Sequence, residues 1–219
     1  MKVMIFVDYS NFMANMGCIK EERSQDRVIE FYRVQKFVME YLSKNPQYRG
    51  KELRHARTYV YTGEYTDSLF KRIKDAINES TGKEKEELEK LLEKTEKRKK
   101  GQKKFFKESM TYAFFEIRKK PLQFTKDKGI FQKGVDVQMA VDLVSNAYLN
   151  NYDIAVLFSG DIDLLESLKL VKSLGKHVIL FSHYKNIAQE MIKESDLVVD
   201  FQKVNDEILD RFSHIFEEH

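Results

Sequence analysis

The sequence contains a single cysteine, which excludes a disulfide framework and a cysteine-rich zinc site. No apolar run approaches the roughly twenty residues that a membrane-spanning helix needs. The apolar start of the chain is broken at Asp8 and lacks a small-residue cleavage site, so it does not have the form of a signal peptide. Internal repeats and low-complexity linkers are also missing. These absences predict a soluble, cytoplasmic protein without a membrane partner.

An excess of one charge sign is missing as well. The chain has 38 Lys and Arg against 35 Asp and Glu, a formal net charge of +3, which is too balanced for a purely electrostatic binder. Hydrophobic residues make up 42% of the 219 positions, so wholesale disorder is excluded and one domain with a sizeable core is expected. Because a small sum can hide segregated charges, their distribution along the chain is more informative.

Short apolar runs alternate with helical patterns along most of the chain. Strands are predicted over residues 1–7, 56–62, 111–117, 154–158, 177–181 and 197–199, and helices over residues 26–44, 134–149, 164–174, 186–193 and 204–216. A polar turn is predicted after the first strand, and Asp26 is the predicted N-cap of the first helix. Strands that alternate with helices predict an α/β fold with a mainly parallel sheet.

Residues 64–108 differ in character from the rest of the chain. Thin leucine and isoleucine stripes lie among Lys, Glu and Arg, so this segment is helical by propensity but buries only a narrow face. We therefore expect one domain over residues 1–200, interrupted by a charged helical insertion at about 64–108. A C-terminal helix within residues 201–219 is expected to pack on that domain.

Positive charge is concentrated within the insertion at residues 94–104. One interpretation is a solvated helix end. The other is an arm in which Lys97, Arg98, Lys99 and Lys100 contact nucleic-acid phosphates without reading sequence. The leucines of the insertion leave two further interpretations open, a homodimer or the docking of a protein partner.

Carboxylates follow two predicted strands and begin one predicted helix. Asp8 follows the first strand, Asp161 and Asp163 follow a buried strand, and Asp136 heads an apolar helical stripe. Ligands bind at the carboxyl ends of the strands in open α/β sheets, so we expect these groups to converge there. Burying a carboxylate is costly unless it meets a cation or several donors, and hard divalent cations prefer oxygen ligands. The pattern predicts a shared metal site.

Each carboxylate also has a local alternative. Asp8 can begin an Asx-turn, and Asp161 or Asp163 can cap the helix that follows. Asp142 lies six positions after Asp136, about 120° around the helix, and is predicted to lie on the polar face.

These motifs together resemble the NYN domain, a branch of the PIN-like nuclease superfamily. The resemblance rests on D-x-x-N at Asp8 and Asn11, K-G-V-D at residues 133–136 and S-G-D-x-D at residues 159–163. It leaves the charged insertion and the C-terminal segment unexplained. Two positions depart from the family pattern, Tyr9 where many members have Gly and Leu164 where members commonly have Phe.

The resemblance implies a three-layer α/β/α fold whose acidic cluster holds Mg²⁺ or Mn²⁺ for the hydrolysis of RNA. It assigns Asp8, Asp136, Asp161 and Asp163 to that cluster, and Asn11 to the orientation of Asp8 or of a metal-bound water. The expected activity is that of a metal-dependent endoribonuclease acting on single-stranded or structured RNA. Some members of the family act as regulators, so an RNA-binding protein with little or no nuclease activity is the alternative.

Lys133 is a candidate contact for the scissile or a neighbouring phosphate, and its alternative role is to pair with a nearby carboxylate. Two other enzyme classes fit less well. The D-x-D-x-T signature of aspartyl phosphatases is absent, because Tyr9 and Ser10 follow Asp8. A glycosyltransferase D-x-D motif would leave Asp8 and Asp136 without a role.

Overall fold

A computed structural model describes residues 1–215 of the chain. In chain order, the strands and helices are β1 (Lys2–Asp8), α1 (Tyr9–Arg23), β2 (Arg27–Ile29), α2 (Phe31–Lys44), β3 (Arg54–Glu64), α3 (Asp67–Glu79), α4 (Gly82–Ser109), β4 (Phe115–Pro121), β5 (Gln123–Thr125), β6 (Gly129–Phe131), α5 (Val135–Tyr148), β7 (Ile154–Phe158), α6 (Leu165–Ser173), β8 (His177–Ser182), α7 (Gln189–Glu194), β9 (Leu197–Asp200), α8 (Asp206–Leu209) and β10 (Ser213–Ile215).

Six strands form the central sheet in the order β4-β3-β1-β7-β8-β9, and every neighbouring pair is parallel. Successive side chains of a strand point to opposite faces, so β1 contributes to both layers of the core. Val3, Ile5 and Val7 pack with α1 and α2, whereas Met4 and Phe6 pack with α5, α6 and α7. Helices on both faces confirm the three-layer α/β/α fold with a parallel central sheet.

The charged segment after β3 forms two helices, α3 and α4, that pack against each other. The apolar stripes of the two helices form a small core together with two residues that follow β4. The helices contribute Leu69, Ile73, Ala76, Ile77 and Leu88, and the segment after β4 contributes Leu122 and Phe124. Leu91 and Leu92 pack against this cluster, so the leucines of the insertion are used within it. The antiparallel ribbon β5–β6, which the pattern did not predict, lies beside these helices. Across residues 1–215, no helix is both long enough and apolar enough to cross a membrane.

The polar turn predicted after β1 is wrong, because the chain enters helix α1 there. Asp8 is its N-cap and accepts hydrogen bonds from the backbone N–H groups of Ser10 and Asn11. The buried apolar residues of α1 recur at helical spacing: Phe12, Met16 and Ile19. The residues that signal a turn are here the residues that begin a helix.

Pairing between β2 and β10 corrects two of the predicted helices. The helix predicted over residues 26–44 begins only at Phe31, and Asp26 does not cap it, because β2 precedes it. β2 pairs antiparallel with β10, so residues 213–215 of the helix predicted over residues 204–216 form a strand, and within residues 204–215 only the short α8 is helical. Residues 216–219 lie outside the described part of the chain. This pairing joins segments far apart in sequence, so local patterns do not reveal it.

The strand predicted over residues 111–117 is also displaced, since β4 begins at Phe115. Its position is set by pairing with β3, in which Thr58 lies opposite Phe115 and Glu64 opposite Pro121. Before the strand, Tyr112 packs at the margin of the core, whereas Phe114 is exposed.

Candidate metal centre

Three carboxylates meet at the carboxyl edge of the central sheet. Asp8 ends β1, Asp161 follows β7, and Asp136 lies in the first turn of α5. Each offers one oxygen, and the three oxygens lie within 4.8 Å of one another. β1 and β7 are parallel neighbours, which brings Asp8 and Asp161 to the same edge. Gly134 adopts a left-handed φ of 78° just before α5, a conformation that favours glycine at the turn into this helix.

Asp8 is almost completely buried, with 3% of its surface exposed. Its Oδ1 accepts hydrogen bonds from the Ser10 backbone N–H at 3.0 Å, the Ser10 hydroxyl at 2.8 Å and the Asn11 backbone N–H at 3.2 Å. Among residues 1–215, no donor reaches Oδ2. The helix N-terminus therefore orients this carboxylate and leaves its second oxygen for a cation.

Asp161 stands at the start of a tight 3-10 turn. Its Oδ1 accepts a hydrogen bond from the backbone N–H of Asp163 at 3.0 Å, and its own N–H donates to the Ser159 hydroxyl at 3.2 Å. A Cβ at Gly160 would lie 2.2 Å from the backbone oxygen of Asn186, so no other residue fits without displacing the backbone. Close approach of two loops thus sets the position of Asp161.

The environment of the cluster raises the pKa of two members above the usual range of an aspartate. Burial is the main cause for Asp8, where the charge of Asp136 adds to it and the hydrogen bonds from Asn11 and Ser10 oppose it. Burial is also the main cause for Asp136, where the charges of Asp161 and Asp163 add to it. When Asp8 and Asp136 are both ionised, their carboxylates repel each other.

The donor set fits a hard divalent cation. It consists of carboxylate oxygens from three separate elements, and Mg²⁺ and Mn²⁺ prefer such ligands. A bound cation would also offset the burial and the repulsion that together raise the two pKa values. The three groups therefore meet the requirements of ligand type and proximity for a metal site.

Asp163 and Asn11 lie beside the cluster with different contacts. Asp163 is exposed and does not belong to the group of three within the described chain, although its charge reaches Asp136. Asn11 holds Asp8 through its backbone N–H, while its side-chain oxygen accepts from Asn15 at 3.4 Å.

Asn15 lies one helical turn after Asn11 on α1, and the sequence motifs did not single it out. It is fully buried, and its Oδ1 accepts hydrogen bonds from the Ser182 hydroxyl at 3.2 Å, the His183 backbone N–H at 3.2 Å and the Asn186 side chain at 2.8 Å. It thereby ties α1 to the loop after β8. The signal in the sequence is a polar residue within the apolar stripe of α1.

Lys133 lies in the loop before α5, and Asp142 lies within α5. Lys133 is exposed and pairs with no carboxylate in residues 1–215. Asp142 is half-buried and accepts a hydrogen bond from the Tyr61 hydroxyl at 3.0 Å, with the Arg118 Nε at 3.3 Å. Asp142 is thus held in a separate polar contact outside the carboxylate cluster.

The four basic residues at 97–100 on α4 point in different directions around the helix, so their contacts differ. Lys97 pairs with Glu93 at 2.9 Å. Lys99 pairs with Asp67 at 2.5 Å and lies 4.6 Å from the ring centre of Phe70. Both of these lysines are therefore engaged within the insertion.

Arg98 and Lys100 differ from the other two residues of this run. Both are exposed, and neither forms an ion pair in the part of the chain that the structure describes. Lys100 faces the cleft between α3 and α4. Arg98 faces a groove of about 620 Å³ between α4, the start of α1 and the β5–β6 ribbon, which we call the α4 groove.

The α4 groove reaches the carboxylates through two side chains. Gln132 and Ser10 both line it, and the Gln132 Nε2 donates to the Ser10 hydroxyl at 3.0 Å. That hydroxyl donates in turn to Asp8. The inner end of the groove is therefore one side chain away from the candidate metal ligands.

Comparison with known proteins supports the family resemblance. The model of the NYN domain family matches residues 2–205. A crystal structure of a protein of unknown function from Vibrio parahaemolyticus RIMD 2210633 is similar, with 16% sequence identity and a TM-score of 0.50 over 97% of this chain and 96% of that one. This likeness shows a shared fold. No curated protein matches the chain.

Proposed function

Because the chain belongs to the NYN domain family, a branch of the PIN-like nuclease superfamily, we propose that it is a metal-dependent endoribonuclease. Members of this family are generally nucleases. The observation that carries the proposal is the convergence of Asp8, Asp136 and Asp161 at one sheet edge. The proposed reaction is hydrolysis of a phosphodiester bond of RNA, in the cytoplasm.

In this proposal Asp8, Asp136 and Asp161 hold Mg²⁺ or Mn²⁺. Such a cation, when bound, makes a water more acidic and neutralises charge that develops on the phosphate. The protein supplies the geometry in advance, since the Ser10 hydroxyl and the Asn11 backbone N–H orient the Asp8 carboxylate. The proposed metal ligands therefore need not rearrange when the substrate arrives.

Asp163 and Lys133 have supporting roles in the proposed reaction. Asp163 is exposed and near enough to Asp136 for its charge to be felt there, so its carboxylate accepts a hydrogen bond from the attacking water. Lys133 is exposed, precedes α5 and has no carboxylate partner within residues 1–215, so its ammonium group contacts a substrate phosphate. In the part of the chain that the structure describes, neither Asp163 nor Lys133 has to leave an ion pair to take this role.

Incubation of the purified protein with labelled single-stranded and hairpin RNAs tests the proposal. We expect cleavage with Mg²⁺ or Mn²⁺ and none with EDTA. Asp161→Asn should abolish cleavage and leave the fold intact, because the amide keeps the shape of the carboxylate without its charge. Asp75→Asn is the matched control, since Asp75 is exposed on α3, away from the cluster.

Two results would contradict the proposal. Equal cleavage by Asp161→Asn and the wild type would show that the carboxylate cluster does not carry the activity. RNA binding without cleavage under either metal would favour an RNA-binding regulatory protein instead.

A further inference from the structure

The α4 groove is lined by a glycine in the interior of helix α4, at a position where packing does not require glycine. Gly101 lies within α4, and a Cβ there would meet no atom within 4 Å. Glycine in a helix interior costs about 1 kcal/mol relative to alanine. Gly101 lines the groove, so the absence of its side chain widens the groove and serves no contact within the described chain.

Aromatic rings form the wall next to this opening. Tyr9 and Phe105 line the groove with their ring centres 6.2 Å apart, and both are partly exposed. Phe31 is buried behind them, 5.9 Å from Tyr9 and 4.9 Å from Phe105. The two partly exposed rings are therefore held in place before any ligand arrives. Tyr9, one of the two residues that depart from the family pattern, belongs to this wall.

The polar side chains of the groove are mostly occupied. Gln102 accepts from the Tyr65 backbone N–H at 3.1 Å and donates to the Gly63 backbone oxygen at 2.7 Å. Gln132 accepts from the Gly63 N–H at 3.0 Å and donates to Ser10. These amides anchor the end of β3, so they offer little hydrogen bonding to a ligand. Recognition in the groove therefore relies on apolar surface and on charge.

Arg98 supplies that charge at the rim. It is exposed, lines the groove and forms no ion pair within residues 1–215, unlike Lys97 and Lys99 on the same helix. A guanidinium group can contact a phosphate or lie over an aromatic ring. The groove thus has a positive rim, an aromatic wall and an inner end at the proposed phosphate-cleaving carboxylates.

We infer that the α4 groove binds an unpaired base of an RNA strand whose neighbouring phosphate lies at Asp8, Asp136 and Asp161, an inference that rests on the proposed function. The groove volume of about 620 Å³ lies within the roughly 300–1,000 Å³ range of sites that enclose small organic ligands. A paired base is stacked inside its helix and cannot enter, whereas an unpaired base can stack on aromatic side chains. Stacking is sequence-tolerant, so the groove selects single-stranded RNA without a strong base preference.

Gly101→Leu tests the inference by filling the groove. Leucine is a better helix former than glycine, so this variant should fold at least as well as the wild type. Gly17→Leu is the matched control, because Gly17 is also a helical, exposed glycine with no atom within 4 Å of its Cβ position, but it does not line the groove. Thermal unfolding of both variants verifies the fold.

Binding is measured by fluorescence anisotropy in EDTA with a labelled mixed-sequence single strand and with the same sequence as a duplex. We expect Gly101→Leu to raise the Kd for the single strand by roughly 5- to 150-fold, the contribution of stacking one base. Gly17→Leu should leave the Kd unchanged, and the duplex should bind more weakly than the single strand to the wild type.

The inference and the proposed function fail in different ways. An equal Kd for Gly101→Leu and Gly17→Leu, or no binding of single-stranded RNA by the wild type, would overturn the inference. Loss of binding in Gly101→Leu, with no cleavage by the wild type under any metal, would support the groove and overturn the nuclease.

Discussion

Asp8 and Asp136 each offer a carboxylate oxygen within 4.8 Å of the other, although β3, the helical insertion and β4 separate them along the chain. No cationic side chain contributes to the pKa of either group within the described chain. The apo protein therefore contains a local concentration of negative charge that only folding creates. A divalent cation would relieve it, and so would removal of one charge.

Asp136→Asn should stabilise the protein in the absence of metal. The pKa of Asp136 is raised, so the folded state holds its proton more tightly than the unfolded state does, and ionisation costs stability as the pH rises through the folded-state pKa. The penalty is present at neutral pH and disappears below about pH 4, the ordinary value of an aspartate. In EDTA, we expect the Tm to rise by roughly 1–3 °C at pH 7 and to stay unchanged at pH 3.5. A lower Tm at pH 7 would contradict the repulsion.

The same variant should lose its response to metal. Added Mg²⁺ or Mn²⁺ should raise the Tm of the wild type in a concentration-dependent way, because a ligand that binds only the folded state stabilises it. Asp136→Asn should show a much smaller rise, since one of the three proposed ligands has lost its charge. Asp75→Asn, on the exposed side of α3, should respond as the wild type does. An equal metal response in all three proteins would place the metal elsewhere.

Arg98→Gln should weaken RNA binding and change its salt dependence. Arg98 faces the α4 groove without an ion-pair partner in residues 1–215, whereas Lys97 on the same helix is paired with Glu93. Loss of one phosphate contact reduces the slope of log affinity against log salt by about 1. We expect that reduction for Arg98→Gln and a smaller one for Lys97→Gln. Equal slopes for the two variants would show that the run acts only through its total charge.

Gly160→Ala should destabilise the fold at the carboxylate edge. The new Cβ would lie 2.2 Å from the Asn186 backbone oxygen and 2.7 Å from the Ile187 Cα, so backbone must move. We expect a loss of about 1–3 kcal/mol in the free energy of unfolding, the usual cost of overpacking. Gly17→Ala, in a helix with open space around it, should gain roughly 0.5–1 kcal/mol. Chemical denaturation distinguishes the two directions.

Asn15→Leu should also destabilise the protein, by a different mechanism. The substitution removes the acceptor of two buried donors, those of Ser182 and His183, and of the half-buried Asn186 side chain. Leaving a buried polar group unsatisfied costs about 1–3 kcal/mol. Asn151→Leu is the control, because Asn151 is exposed and, within residues 1–215, its side chain donates only to Asn146. A similar free energy of unfolding for both variants would show that the Asn15 contacts are not needed to hold α1 against the sheet.

Much of the fold can be predicted because its central strands have strong local patterns. The strand at residues 154–158 is buried throughout and lies where the apolar run predicts it. The helix after Gly134 is equally clear from its apolar stripe. β2 and β10 could not be predicted, because each is a strand only through its pairing with the other, and β5–β6 is a short ribbon of the same kind.

The carboxylate site shows the same division. Strand ends in a parallel sheet bring Asp8 and Asp161 to one edge, and the apolar stripe of α5 turns Asp136 toward them, so this part follows from sequence patterns and the rule for ligand sites in such sheets. The four basic residues at 97–100 look equivalent in sequence. The helix directs them to different surroundings, and only Arg98 faces the groove beside the carboxylates.

The amino-acid sequence by itself determined the α/β class, the parallel sheet and the acidic residues at its carboxyl edge, because hydrophobic period and strand polarity are local properties. The tertiary structure decided that Asp163 stands apart from the group of three, that β2 and β10 pair, and that a groove opens beside Asp8. These depend on contacts between residues distant in sequence. Such contacts arise only when α4, the ribbon and the sheet pack together.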